Sequence, residues 1–331
     1  MKLLLALREP YFDQFVGEEI FAPAQSCYSD IRRVDPAALS SEQWQALFSD
    51  FAPNAVLTCW GTPFIPSSAL PTLGHVAHLC GSVRHLVSRD MIERGLRVTN
   101  WGSIHAPVVA ECALMLVLCC LRRMTRWSFS LHRDHQWPAE RSQMARTLYG
   151  RRVGIHGFGQ VARALVQLLK PFGCPMHAYS AGVPQQLYLD HGVTPSPSLE
   201  ALFASCDVLV EVEALTPATQ HTVTEALLRL LPCGGVFVNV GRGAVVDEAA
   251  LIRVAQEGDL EIGLDVYETE PPPADSRFFG LPNVTLSPHI GGPTSDLWRN
   301  CGQMAVENLR RFARGEPLQN LVTATQFDRA T

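Results

Sequence analysis

From Val153 onward, short apolar runs alternate with amphipathic stretches along the chain. The strand-like runs are RVGIHG, MHAYS, DVLVEVE, GVFVNV, EIGLDV and NVTLSP, and helical patterns separate most of them. Such alternation predicts an α/β fold built on a doubly wound parallel sheet, because parallel neighbours need a long crossover connection. Between the first two runs, Val161, Ala164, Leu165, Leu168, Leu169 and Phe172 recur at helical spacing as one stripe, which Gly173 ends. A weaker alternation in the first hundred residues, LLLAL, AVLTCW, HVAHLC and LRVTN, predicts a smaller α/β domain. The most apolar segment, CALMLVLCCL at residues 112–121, is closed by Glu111 and Arg122. It falls well short of the ~20 residues of a membrane span and predicts a buried helix at a candidate subunit interface. Near the end, SDLWRNCGQMAVENLRRFARGEP predicts a helix that stops at Gly315, with Pro317 beyond.

Composition narrows the class. A chain of 331 residues, 47% hydrophobic and 18% charged, is long for one core and points to two domains. The net charge of −5 argues against a nucleic-acid or anionic-membrane surface, either of which calls for a basic excess. Ten scattered cysteines include no C-x-x-C pair, so no metal site is expected and the thiols fit a cytoplasmic protein. At the start, MKLLLALREP is cut off by Arg8 and Glu9, which predicts a first strand rather than a signal peptide.

The chemistry begins at VGIHGFGQVARA, where Gly157, Gly159 and Ala162 form G-x-G-x-x-A between a strand and a helix. The first glycine permits the tight turn, the second admits a pyrophosphate, and the small third residue lets helix and strand pack closely. A dinucleotide would rest its diphosphate on the helix N-terminus. A purely structural turn can share this spacing; the surrounding alternation favours the nucleotide. The end of the next strand, HAYSAG, puts Ser180 where a carboxylate normally holds the adenosine ribose. Without that charge a 2′-phosphate is not excluded, although no arginine follows in SAGVPQQLYLD to grip one. The cofactor is read as NADP or NAD, leaning to NADP.

Three later segments, NVGRGAVVDEAAL (239–251), GLDVYETEP (263–271) and LSPHIGGPTSD (286–296), follow in an order that resembles the D-isomer-specific 2-hydroxyacid dehydrogenases. CGSVRHLVSRDMIERGLRVTNWGSIHAPVVAE (80–111) extends the likeness toward the N-terminus. The resemblance implies two Rossmann-like or flavodoxin-like domains with a cleft between them. Residues 1–104 plus 293–331 would form a discontinuous substrate domain, and 105–292 a dinucleotide-binding Rossmann domain. It implies hydride transfer between NAD(P)H and a small 2-oxo acid or D-2-hydroxy acid, in a cytoplasmic homodimer with no nucleic-acid or membrane partner.

In family terms Arg242 matches the substrate anchor, His289 the proton donor and acceptor, and Glu270 its partner. A guanidinium can fork onto a carboxylate, and a carboxylate beside an imidazole favours its protonated form. All three follow parallel strands, where ligands bind in open α/β sheets. Singly, each has an ordinary structural explanation; their joint order is what singles them out. The cofactor contacts implied are Gly157, Phe158, Gly159, Gln160, Val161, Ser180, Ala214, Leu215, Val240, Gly241, Asp265 and Gly291. Asp265 would meet the nicotinamide amide or, as a buried carboxylate, cap a neighbouring loop. On the substrate side, the N–H groups of Cys80 and Gly81 would hold the carboxylate, and Trp60 offers an apolar wall.

Two departures stand out. In the stretch VEVEAL, Glu213 and Leu215 replace a His and Pro pair usual in the family, and Glu211 adds a second acid. Acid near a pyrophosphate is unwelcome, so either these carboxylates point elsewhere or cofactor binding is unusual. His156, inside the first strand, reads as a satisfied core histidine. The alternatives are a dehydrogenase of another small anion or a nucleotide-sensing, corepressor-like module without turnover. Glu270 counts against the formate version, which pairs its His with Gln.

Overall fold

The computed structural model describes residues 1–329. The chain divides into two compact units: Met1–His105 with the chain from Pro293 onward, and Ala106–Gly292.

The first unit is built on five parallel strands: β1 Lys2–Ala6, β2 Asp30–Val34, β3 Ala55–Thr58, β4 His75–His78 and β5 Arg97–Thr99. Their order is β2-β1-β3-β4-β5. The run LLLAL is apolar at every position because β1 is covered on both faces. Leu3 and Leu5 pack with Phe15 and Phe21, while Leu4 and Ala6 pack with Trp44, Phe48 and Phe51. Strand β2, DIRRV, shows no apolar run because it lies on the edge, where charged side chains face water. The helix Trp298–Arg314 lays Cys301, Ala305, Val306, Leu309 and Phe312 on the same core and stops at Gly315.

The second unit holds seven parallel strands: β6 Val153–His156, β7 Met176–Tyr179, β8 Thr194–Pro195, β9 Val208–Glu211, β10 Val236–Asn239, β11 Glu261–Leu264 and β12 Val284–Leu286. Their order, β12-β11-β10-β9-β6-β7-β8, reverses between β6 and β9. A crevice opens at such a reversal because the crossovers on either side depart to opposite faces. Only β8, two residues long, is absent from the apolar pattern.

The apolar segment forms the helix Ala106–Arg122, packed on β10, β11 and the helix Gln160–Leu169. In that second helix the fully buried side chains are Ala162, Leu165, Val166 and Leu169, whereas Val161, Ala164 and Leu168 only flank them. The buried face is therefore rotated from the expected stripe, with Ala162 and Val166 joining Leu165 and Leu169 at its centre. Among the described residues no helix is long and apolar enough to cross a membrane. Of ten free cysteines, Cys233 is exposed, Cys27 and Cys119 are half-buried, and the others are buried.

Candidate active site

At the end of β6 the chain turns at Gly157 with φ +97°, a backbone that L side chains rarely adopt. A Cβ there would also lie 2.6 Å from the Glu213 nitrogen, so the loop after β9 passes directly over this glycine. Gly159 is different: a Cβ on it would meet nothing within 4 Å. It caps the helix Gln160–Leu169 without a side chain, leaving the first N–H groups of that helix to an external acceptor. Open space over a bare helix N-terminus fits a pyrophosphate. The Phe158 ring is committed to the core, 4.4 Å from the Tyr188 ring, and Val161 is half-buried, whereas Gln160 is exposed.

Both unexpected acids are tied to this turn. Glu211 points inward, with Oε2 2.5 Å from His156 Nδ1, and both side chains are buried. Burial works against a charged His156, but the Glu211 carboxylate outweighs it and holds the imidazole above its ordinary pKa. The other oxygen of Glu211 accepts the Glu213 N–H at 2.8 Å. Glu213 in turn accepts the Ala214 N–H at 3.0 Å and the Ser180 hydroxyl at 2.5 Å. Ser180 is pinned by Tyr188, whose hydroxyl accepts the Ser180 N–H and donates to the Ser180 carbonyl. Leu215 only packs against the core.

Arg242 follows β10 by three residues. Asn239, almost fully buried, braces the turn: its Oδ1 accepts the Gly241 N–H and its Nδ2 donates to the Arg242 carbonyl. The glycines on either side answer to neighbouring loops. A Cβ on Gly241 would lie 3.1 Å from Val212 Cα, and one on Gly243 would fall 1.9 Å from the Tyr267 carbonyl carbon. Val240 is buried. Burial lowers the pKa of the Arg242 guanidinium from its usual value, and the Glu270 carboxylate acts in the opposite sense. The two charges are thus near enough to feel each other.

The loops after β11 and β12 are joined by two carboxylates. Asp265, buried, accepts the Ser287 hydroxyl and the Ile290 N–H on one oxygen and the Gly291 N–H on the other. Of the two roles open to it from sequence, loop capping is the one these bonds display. Glu270 accepts the Tyr267 N–H on Oε1, while its Oε2 is 2.5 Å from His289 Nδ1. With the proton on Nδ1 shared to the carboxylate, Nε2 is the ring nitrogen left for a reacting group. Both side chains are partly exposed, as a site that exchanges ligand requires.

In the first unit, Cys80 is buried and its Sγ is 3.6 Å from that of Cys59. The Trp101 indole lies against Gly81, whose carbonyl accepts from Asn100. Trp60, 39% exposed, belongs to an aromatic cluster with Tyr11, Phe15, Trp101 and Trp298. Arg242, Asp265, Glu270 and His289 all lie in the second unit; Trp60, Cys80 and Gly81 lie in the first.

The model of the D-isomer specific 2-hydroxyacid dehydrogenase NAD binding domain matches residues 114–291. The chain belongs to this family. Among curated relatives, it is 34% identical over 228 residues to a hydroxyphenylpyruvate reductase of Plectranthus scutellarioides, covering 68% of this chain and 71% of that one. It is also 34% identical over 253 residues to glyoxylate/hydroxypyruvate reductase A of Arabidopsis thaliana, covering 76% and 79%. An NADPH-dependent glyoxylate/hydroxypyruvate reductase from Sinorhizobium meliloti, solved with citrate, superposes with a TM-score of 0.76 at 25% identity, over 100% of this chain and 99% of that one. This dehydrogenase is therefore an oxidoreductase with an NAD-binding domain. Asn239 and Ser287 are the supports that sequence reading passed over. Each stands within a motif segment, but its role shows only in the hydrogen bonds it makes, within the turn for Asn239 and across to Asp265 for Ser287.

Proposed function

We propose that this dehydrogenase interconverts a small 2-oxo acid and its D-2-hydroxy acid by hydride exchange with a nicotinamide dinucleotide. The observation that carries the reading is the contact between His289 Nδ1 and Glu270 Oε2, which leaves Nε2 for the substrate oxygen. When bound, the cofactor supplies or accepts the hydride. His289 gives a proton to the carbonyl oxygen as it becomes a hydroxyl, and takes it back in the reverse direction. Glu270 fixes the ring and balances its positive charge. Arg242 forks onto the substrate carboxylate and draws on the carbonyl oxygen. In the first unit, we assign the N–H groups of Cys80 and Gly81 to the carboxylate and Trp60 to an apolar wall.

The ten free thiols fit a reducing cytoplasm. A homodimer is supported by the exposed apolar side chains of Met115, Met124, Leu131, Trp137 and Tyr149, which follow one another along one segment of the second unit.

The direct test is loss of reduced-nicotinamide absorbance with glyoxylate, hydroxypyruvate, pyruvate and bulkier 2-oxo acids, for wild type and His289→Ala. We expect turnover that falls by about 10³-fold in the variant. Cofactor binding without turnover on any 2-oxo acid would defeat the proposal and favour another small anion or a sensing role.

A further inference from the structure

We infer that Glu213 selects the dinucleotide: its carboxylate takes the adenosine ribose diol in place of the acid missing at Ser180, and so favours NAD over NADP. This rests on the nucleotide-using reading above and deepens it. Ser180 alone pointed to NADP; its surroundings reverse that.

In an open parallel sheet a ligand lies beyond the strand ends where the strand order reverses. Here that place is between β6 and β9. Gly157 leaves the end of β6 and Glu213 stands just past β9, so near that a Cβ on Gly157 would strike the Glu213 backbone. Its side chain reaches past β6 to the end of β7, where Oε2 takes the Ser180 hydroxyl at 2.5 Å. A carboxylate from a neighbouring loop has thereby been brought to the end of the second strand, the place where ribose is bound.

The carboxylate is held there firmly. Glu211 Oε1 fixes the Glu213 backbone nitrogen, and Glu211 is itself anchored on buried His156. The Ala214 N–H fixes Oε1 of Glu213, and Tyr188 fixes Ser180 from behind. The charges differ in kind. Glu211 is matched by His156, whereas the hydrogen-bond partners of Glu213 are a neutral hydroxyl and a neutral N–H. Neither of those bonds is an ion pair, so Glu213 is not matched as directly as Glu211 is, although the buried His156 ring also feels its carboxylate. A carboxylate offers about four lone-pair positions, and these two bonds leave about two for the hydroxyls of a diol. A 2′-phosphate brings more negative charge and no hydrogen to give, so the same group repels it.

The test is direct titration without 2-oxo acid, following reduced-nicotinamide fluorescence with NADH and NADPH, and calorimetry with AMP and adenosine 2′,5′-bisphosphate. Wild type should bind NADH tighter than NADPH by about 30-fold or more, and E213Q should narrow the gap to under about fivefold, chiefly by binding NADPH better. The wild-type ratio needs no variant, and circular dichroism checks that E213Q is folded. Equal wild-type affinity for the two coenzymes, or a ratio unchanged in E213Q, would overturn the role of Glu213 while leaving the reductase reading standing. Binding of none of the four ligands would overturn both.

Discussion

His289 carries its ring on a backbone with φ +53°, a left-handed conformation that costs a residue with a side chain about 1 kcal/mol. The bonds from Asp265 to Ser287, Ile290 and Gly291 bracket that residue and hold the turn in place. Asp265→Asn keeps the shape but loses one acceptor oxygen, turning an amide N–H toward a donor. Hydrogen bonds to a charged group suggest a loss of about 2 kcal/mol, readable as a lowered Tm and faster amide exchange at Ile290 and Gly291. Unchanged exchange there would show that the turn holds without the carboxylate. At this scale the position of Arg242, Glu270 and His289 just past apolar strands was legible from the pattern, while the roles proposed for them came from their resemblance to the family. Asp265 was legible only as a choice of two roles. The bond from Ser180 to Glu213 was not legible, because it joins residues of different strand–helix units.

Strand β4 places two histidines where neither can readily be charged. Burial, with the Arg97 charge adding to it, pushes His75 down to about 3. Burial, with His85 adding to it, does the same to His78, again to about 3. In the unfolded chain both take up a proton near the ordinary value of 6.5. Between these limits the unfolded chain binds more protons, so stability falls as pH drops, by about 1.4 kcal/mol per pH unit for each histidine. Urea unfolding at pH 7 and pH 5 should show this loss. His75→Gln and His78→Asn keep an amide near the Nε2 and Nδ1 partners, Thr99 and Thr58, and should flatten the pH dependence. If the double variant loses stability on acidification as steeply as wild type, these imidazoles are not its source. The element scale also shows where patterning stops. The buried strands β1, β3, β6, β9 and β10 read as apolar runs, but edge strand β2 is charged and β8 is too short to carry a pattern.

For the whole molecule, the exposed apolar side chains that recur between Met115 and Tyr149 lead to an expectation about assembly. Trp137 stays 71% exposed and Leu131 43%, so a second copy of the chain is expected to cover them. Sedimentation should give about twice the 36.4 kDa chain mass, and Leu131→Glu with Trp137→Glu should return it to one chain without loss of helical signal. A wild-type mass of one chain would refute the homodimer. The sequence by itself determined the parallel α/β class, the glycine turn, and the order in which Arg242, Glu270 and His289 arrive at strand ends. Those features follow from periodicity and local backbone chemistry, which a linear chain displays. Only the tertiary structure decided that Glu211 pairs with His156, that Asp265 caps the turn of His289, and that Gly241 and Gly243 are small to admit other loops. Each of these is a contact between residues distant in sequence, set when the strand order folds them together, and no spacing along the chain encodes it.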